Sequence, residues 1–455
     1  MSEANAPVTG VGTAPDPTAA PRRVLSVFDG VMIIVGIIIG GGIFAFPPLV
    51  AGMTGSVEWM FGAWIFGAAL ALVGALCYAE LATTFPNAGG DYHFLTRAYG
   101  KDLSFFFAWA RVLVITTGAI ALLAFVFGDY MSRVLPLGNQ SSTVWAVLIV
   151  LALTAVNIAG LKESSRTQNV LSGLLVLGML LVVVAGYAAP AVGAPPAPAP
   201  SEAVPALFGT ALLFVLFTFG GWNEAAYISA EVKGGPRSIV RVLVVALLLV
   251  TLIYLLFVAA LLNGLGFAGL KSSQAVAADV AKNAFGIFGE KAIGAVVALA
   301  ALTSINATMI VAARTNYSLG NDWPVFRFMS RWSGQRDAPV AAYVVTGAIS
   351  LALVLLAAVN KSGVKFMVDF TAPVFWFFFL LTGIALFVLR FREPHVARPF
   401  RVPAYPVLPV VFVCTCAFLL YRSLLYTLEN RAVQAALYVM AAGVLVWILA
   451  RLRRR

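Results

Sequence analysis

Charged side chains are scarce in this chain: Asp, Glu, Lys and Arg together make up 11% of its 455 residues. Soluble domains carry about a quarter charged residues, so a water-facing globular surface is excluded. Histidine is scarcer still, with only His93 and His395, both in predicted connections between apolar stretches. No carboxylate cluster, phosphate-binding loop or nucleophile motif accompanies them, and a transition-metal site would need several His, Cys, Asp or Met ligands at one depth. An enzyme, a metal centre and a bound cofactor are therefore not expected. The three cysteines, Cys77, Cys414 and Cys416, all fall in apolar stretches and build neither a disulfide framework nor a zinc spacing. Cys414 and Cys416 stand two apart on a predicted helix and so point to different faces, as packing residues do.

What the chain has instead is hydrocarbon: 61% of its residues are hydrophobic and its mean hydropathy is +0.95. Crossing a bilayer takes about 20 apolar residues. Twelve stretches qualify, near 25–49, 57–83, 103–134, 143–160, 168–189, 206–232, 239–263, 291–318, 339–358, 364–390, 405–427 and 432–451, here called spans 1 to 12. The expected fold is an all-α polytopic membrane protein. The formal charge of +11 is not a nucleic-acid surface, because its placement alternates with the spans. With the N-terminus inside, Arg97, Lys101, Arg237, Arg390, Arg392 and Arg398 collect on the inner side. The outer side keeps little beyond Arg133, Lys271, Lys282, Lys291, Lys361, Lys365 and Arg431. That bias predicts both termini in the cytoplasm.

Residues 1–21 read as a disordered cytoplasmic tail rather than a signal peptide. An Ala/Pro-rich connection from Ala189 to Pro205 then divides five spans (22–190) from the next five (206–392), with two more trailing at 403–452. A moderately amphipathic piece, Ser272 to Phe285, is expected as a short helix over the outer mouth.

Two spans carry glycine at their middles, and they lie five spans apart. Span 1 contains Gly40, Gly41 and Gly42 in GIIIGGGIF; span 6 contains Gly220 and Gly221 in FTFGGWNEAAY. Each glycine costs a helix about 1 kcal/mol against alanine. In lipid the freed backbone groups must also find partners, and paired interruptions in two halves point to a transporter's binding site. In that reading spans 1 and 6 are counterparts in a five-plus-five inverted repeat. Amides near Gly41, Gly42 and Ile43 suit a carboxylate, and the carbonyls of Ile37, Ile38 and Ile39 suit an ammonium. The alternative is that the glycines serve close helix packing.

Around the second break stand Phe219, Trp222, Asn223 and Glu224. Asn223 is expected at the substrate amine or the unwound backbone, and Phe219 as a gate. Glu224 has two readings: a proton carrier, or the partner of Arg111 in span 3 or Arg314 in span 8. Thr116, Thr117, Ser304 and Asn306 either line a cavity or bond their own helices.

These strings resemble the amino acid–polyamine–organocation superfamily. The span 1 string is similar to that superfamily's unwound segment. AELATTFPNAGGDYHFLTRAYG (79–100), AEVKGGPRSIVR after span 6, SINATMIVAARTNYSLGND in span 8 and RPFRVPAYPVLP before span 11 also match in order. FGGWN, Phe219 to Asn223, looks most like the L-type amino acid transporter branch. The resemblance implies the inverted-repeat fold with two trailing helices. It also implies that the Gly41 and Gly42 amides take a substrate carboxylate, that carbonyls near Ile38 and Phe219 take the amine, and that Phe219 is the gate; Gly40 and Gly221 are expected among the substrate-binding residues. Asn223 stands where arginine-selective relatives place a glutamate, which favours a neutral substrate. The chain departs from its relatives at Leu175, where several carry a lysine, and at Gly234-Gly235 in place of Asn-Pro.

The expectation is thus a multi-pass permease or exchanger of neutral L-amino acids, working by alternating access in a plasma membrane of the bacterial inner-membrane type. Its partners would be the substrate, the lipid bilayer and a coupling proton or counter-substrate, with no nucleic acid. A cationic amino acid or polyamine exchanger on the same fold, and a non-transporting sensor or assembly subunit, are the competing readings.

Overall fold

The computed structural model describes residues 26–452 except residue 88 and segments 160–164, 190–206, 229–231, 332, 334–338, 361–362 and 426–430. The predicted tail, residues 190–205 of the Ala/Pro-rich connection and the Arg314 side chain thus lie outside the described residues. Among the described residues there is no β-strand.

Span 1 becomes three pieces, α1 (Val27–Ile38), α2 (Gly42–Ala45) and α3 (Pro47–Thr54). Ser26 opens it with a capping box: its hydroxyl accepts the Asp29 N–H while the Asp29 carboxylate accepts the Ser26 N–H. Gly55 closes it in the left-handed region at φ +74, and Ser56 caps the next helix by accepting the Trp59 N–H. There follow α4 (Val57–Thr84), a short α5 (Asp91–Tyr99), and α6 (Lys101–Ala110), which runs through a π turn at Arg111–Ile115 into α7 (Thr116–Val134). Next come α8 (Ser141–Ile158), α9 (Ser165–Ala188) and α10 (Phe208–Thr218), then a 3-10 turn at Trp222–Glu224 and α11 (Ala225–Ile228). The remainder is α12 (Pro236–Ser272), α13 (Val276–Asp322), α14 (Val340–Val359), α15 (Gly363–Arg392), α16 (Val407–Leu425) and α17 (Arg431–Leu452).

Among the described residues, ten helices are long and apolar enough to cross a membrane. The two other expected spans, 5 and 6, correspond to α9, with its apolar stretch Gly173–Ala188, and to the interrupted pair α10 and α11. Large apolar side chains such as Leu148, Leu177, Leu252 and Leu445 are exposed, as a lipid-facing belt requires. Cys414 is likewise exposed and Cys416 buried, on different faces of α16.

Both ends of the bundle are tied by charge. At the predicted inner end, the buried Glu80 of α4 accepts from Arg390 Nε at 2.7 Å, from Arg390 Nη2, and from the Val402 N–H at 2.7 Å. Arg398 adds a contact at 3.6 Å. One carboxylate thereby fixes α15 and the connection beyond it to α4. Nearby, Arg97 of α5 clamps Glu393 in a more exposed bidentate pair.

At the other end α13 bends at Gly286, φ +65, which sets residues 276–285 apart as the expected outer helix. The Tyr130 hydroxyl of α7 donates to Phe44 O at 3.1 Å and accepts the Ala277 N–H at 3.2 Å. Arg133 pairs with Asp279 and Glu290, each at 3.4 Å. The break in span 1 is therefore covered on this side by α7 and residues 276–285.

Candidate functional site

The two breaks meet. Gly221 sits at φ +109, where a side chain is strained, and a Cβ there would lie 2.8 Å from Ile37 Cγ2. A Cβ on Gly42 would stand 3.2 Å from the Thr218 Cα. The end of α1 and the end of α10 thus touch through glycine surfaces. Gly41 answers the packing alternative directly, because its missing Cβ would lie 2.9 Å from both Leu123 and Val126 of α7. It serves the close approach of α7.

Against these breaks lies a cavity of about 280 Å³. Of the residues singled out in the sequence, Ile38, Gly40, Gly41, Gly42, Gly221, Asn223, Glu224, Arg111, Thr116 and Ser304 line it. Ile43, Phe219, Trp222 and Asn306 do not. Phe219 is a correction with a simple cause: at 100° per residue, positions two apart point to nearly opposite sides of a helix. Its ring is buried against Trp64 and Tyr254, with centroids at 6.2 Å and 5.1 Å. Phe217 faces the cavity instead and packs on Phe375 at 5.2 Å. Trp222 is turned into the bundle against Tyr78, Phe379 and Phe412. Asn306 points to α8 and accepts from Asn157 Nδ2 at 2.7 Å, while Ile43 and Thr117 are fully buried. The Thr116 hydroxyl donates to its own helix at Arg111 O, 2.5 Å away.

The carbonyl expectation also shifts. Ile38 O already accepts from the Gly40 N–H at 2.7 Å and faces the Tyr254 hydroxyl of α12 at 2.9 Å. That same hydroxyl lies 3.1 Å from Thr218 O, so one donor is shared by the ends of α1 and α10. Losing it in Tyr254→Phe should cost about 1–3 kcal/mol, because both carbonyls are buried. A lowered melting temperature of the purified protein is the expected readout, and an unchanged one would mean that another group replaces the hydroxyl.

Three ionisable groups line the cavity. Arg111 Nη2 lies 3.3 Å from Glu224 Oε2, joining the π turn between α6 and α7 to the turn after α10. Asn223 Nδ2 reaches Glu224 Oε1 at 3.4 Å, and the Glu224 N–H donates to Gly221 O at 3.0 Å. Of the partners read for Glu224 in the sequence, Arg111 is in contact with it. Leu175 is elsewhere: it lines a separate apolar pocket of about 90 Å³ with Val296 and Ala300 of α13.

The third group, Asp91, was not anticipated. It begins α5, is buried, and accepts from the Tyr78 hydroxyl at 2.6 Å and from Thr382 at 3.3 Å. Its signal was in the sequence as the acidic residue after Gly89 and Gly90, which place a chain turn directly before it. Burial pushes its carboxyl up to about 6, against the opposing pull of the Tyr78 hydrogen bond and Arg111. The fold therefore favours the protonated form, and this group's contribution to stability falls as pH rises from about 4 through about 6. Thermal melts of wild type and Asp91→Asn should lie closest at the acidic end, where Asn stands in for the neutral carboxyl, and separate as pH rises through about 6 and wild type loses stability. Parallel curves would show that Asp91 does not titrate there.

The amino acid permease family model matches residues 25–449. The chain is 26% identical to the b(0,+)-type amino acid transporter 1 of Homo sapiens over 95% of its length and 88% of that protein's. It is 27% identical to the Asc-type amino acid transporter 1 of Mus musculus, over 94% and 81%. With the large neutral amino acids transporter small subunit 2 of Homo sapiens it shares 28% identity, again over 94% and 81%. With two helices broken at one cavity and a match running from span 1 to span 12, the chain belongs to the amino acid permease family, whose matched relatives are amino acid transporters and not enzymes.

Proposed function

We propose that the protein is a secondary transporter of neutral L-amino acids that works by alternating access, with α1–α2 and α10–α11 as counterparts in an inverted repeat. The carrying observation is the meeting of both chain breaks at one cavity of about 280 Å³, near the lower end of small-molecule sites at roughly 300–1,000 Å³. The first amides of α2 have no intrahelical acceptor and suit the substrate carboxylate. The Ile37 carbonyl and the chain around Gly220 and Gly221 suit its ammonium, while Phe217, Phe375 and Phe379 offer an apolar wall. The tie of Tyr130 to Phe44 and Ala277 supports an inward-facing state, closed at the predicted outer side.

A second reading, a cationic substrate, draws on Asp91 and Glu224 in the same cavity. Against it stands Arg111, which already holds Glu224. Stabilisation of the purified protein across the twenty amino acids separates the two, since a response confined to arginine and lysine would remove the neutral reading. Counterflow of radiolabelled substrate into proteoliposomes tests transport itself, and the same assay with and without proton and sodium gradients identifies the coupling. Binding without any counterflow would leave a sensor.

A further inference from the structure

We infer that Arg111 is the specificity-determining residue of the cavity: its guanidinium occupies, from within the chain, the place that the side-chain cation of a dibasic amino acid would take. This rests on the neutral-substrate reading above and deepens it. The Arg111 side chain is 5% exposed and lies 3.3 Å from the Glu224 carboxylate, which is 23% exposed. Both line the cavity together with the two breaks, and Glu224 is held within a turn of Gly221 by its own N–H. The amino acid's backbone end and this ion pair thus share one chamber.

A carboxylate in a largely apolar chamber attracts a cation, and two sources compete for it. When the chain supplies the cation, a lysine or arginine substrate meets a like charge where its side chain must go, and that juxtaposition is an exclusion device. Guanidinium suits the task better than an ammonium, since it stays charged throughout the accessible pH range. Asp91 adds to the effect. It is anchored from outside the pair by Tyr78 and Thr382, and Arg111 is the basic side chain among the described lining residues, so Arg111 offsets two carboxylates that face the chamber. A neutral substrate leaves the pair undisturbed.

The test is competition against radiolabelled neutral substrate in proteoliposomes, with leucine, lysine, arginine and free guanidinium ion as probes. In wild type, lysine and arginine should compete poorly. In Arg111→Ala, their potency relative to leucine should rise by about tenfold or more, and guanidinium ion should compete with lysine where it does not in wild type. Arg111→Ala/Glu224→Gln should lose most of that gain, which ties it to the unmasked carboxylate and not to added space. An unchanged lysine-to-leucine ratio in Arg111→Ala, or a gain that survives in the double variant, overturns the inference while the neutral reading stands. Lysine preference in wild type instead overturns the neutral reading and this inference with it. Should Arg111→Ala not yield a monodisperse protein, Arg111→Lys carries the same comparison. Its shorter side chain gives up part of the pairing, so lysine competition should exceed wild type and fall back in Arg111→Lys/Glu224→Gln. A ratio equal to wild type there counts against the inference.

Discussion

Gly221→Ala should weaken substrate binding by on the order of a hundredfold. Two costs combine at this position. The backbone sits at φ +109, and the new Cβ would lie 2.8 Å from Ile37 Cγ2 and 3.3 Å from Ile37 O. Holding a non-glycine residue in that region costs about 1–3 kcal/mol, and overpacking a filled contact costs about 1–3 kcal/mol more. Both can be relieved only by moving the turn after α10 away from the end of α1, which pulls apart the two edges of the cavity. Gly40→Ala is the informative contrast, because its Cβ would have nothing nearer than Ile37 O at 3.8 Å. Its effect should stay below about tenfold. Calorimetric titration of both variants with the best substrate measures the difference, and equal losses would show that the breaks tolerate separation.

The largest loss of stability should come from Glu80→Ala, about 3–5 kcal/mol. The side chain is 3% exposed, and it holds Arg390 and Arg398, whose side chains are 18% and 9% exposed. It also accepts the Val402 N–H. Removing it takes the carboxylate from the Arg390 guanidinium and the acceptor from the Val402 N–H in a buried place, while Arg398 keeps its bonds to the Val396, Leu389 and Glu393 carbonyls. Glu393→Ala breaks a pair whose arginine side chain is 39% exposed, and should cost about 1 kcal/mol or less. Thermal melts in detergent rank the two. A Glu80 variant that melted with the Glu393 variant would mean that water reaches the cluster.

Much of this molecule is legible in the sequence because lipid imposes a one-dimensional rule. Twenty apolar residues must become a helix, since no other local structure satisfies the backbone in hydrocarbon. That rule located the spans and both glycine interruptions, and Ile38, Gly40, Gly41 and Gly42 at the cavity followed from them. It does not specify rotation about a helix axis. Phe217 and Phe219 are equally apolar and two residues apart, so composition cannot say which faces the cavity. Packing against Trp64 and Tyr254 took Phe219, and Phe217 was left to the chamber. Asn306 shows the same limit: a polar residue in an apolar span signals a partner, yet its partner proved to be Asn157 on α8. Asp91 escaped because it lies in a connection, where polar residues are ordinary.

The sequence by itself determined the solvent this chain folds in, the number and order of its apolar segments, and the two places where they must break. These follow from hydropathy and from the cost of glycine in a helix, which are properties of a segment alone. Only the tertiary structure decided that the breaks touch, that Tyr254 is shared between them, and that Arg111 reaches Glu224 across 113 positions of chain. Such contacts depend on helix rotation and crossing, and these are set by the shapes of neighbours distant in sequence.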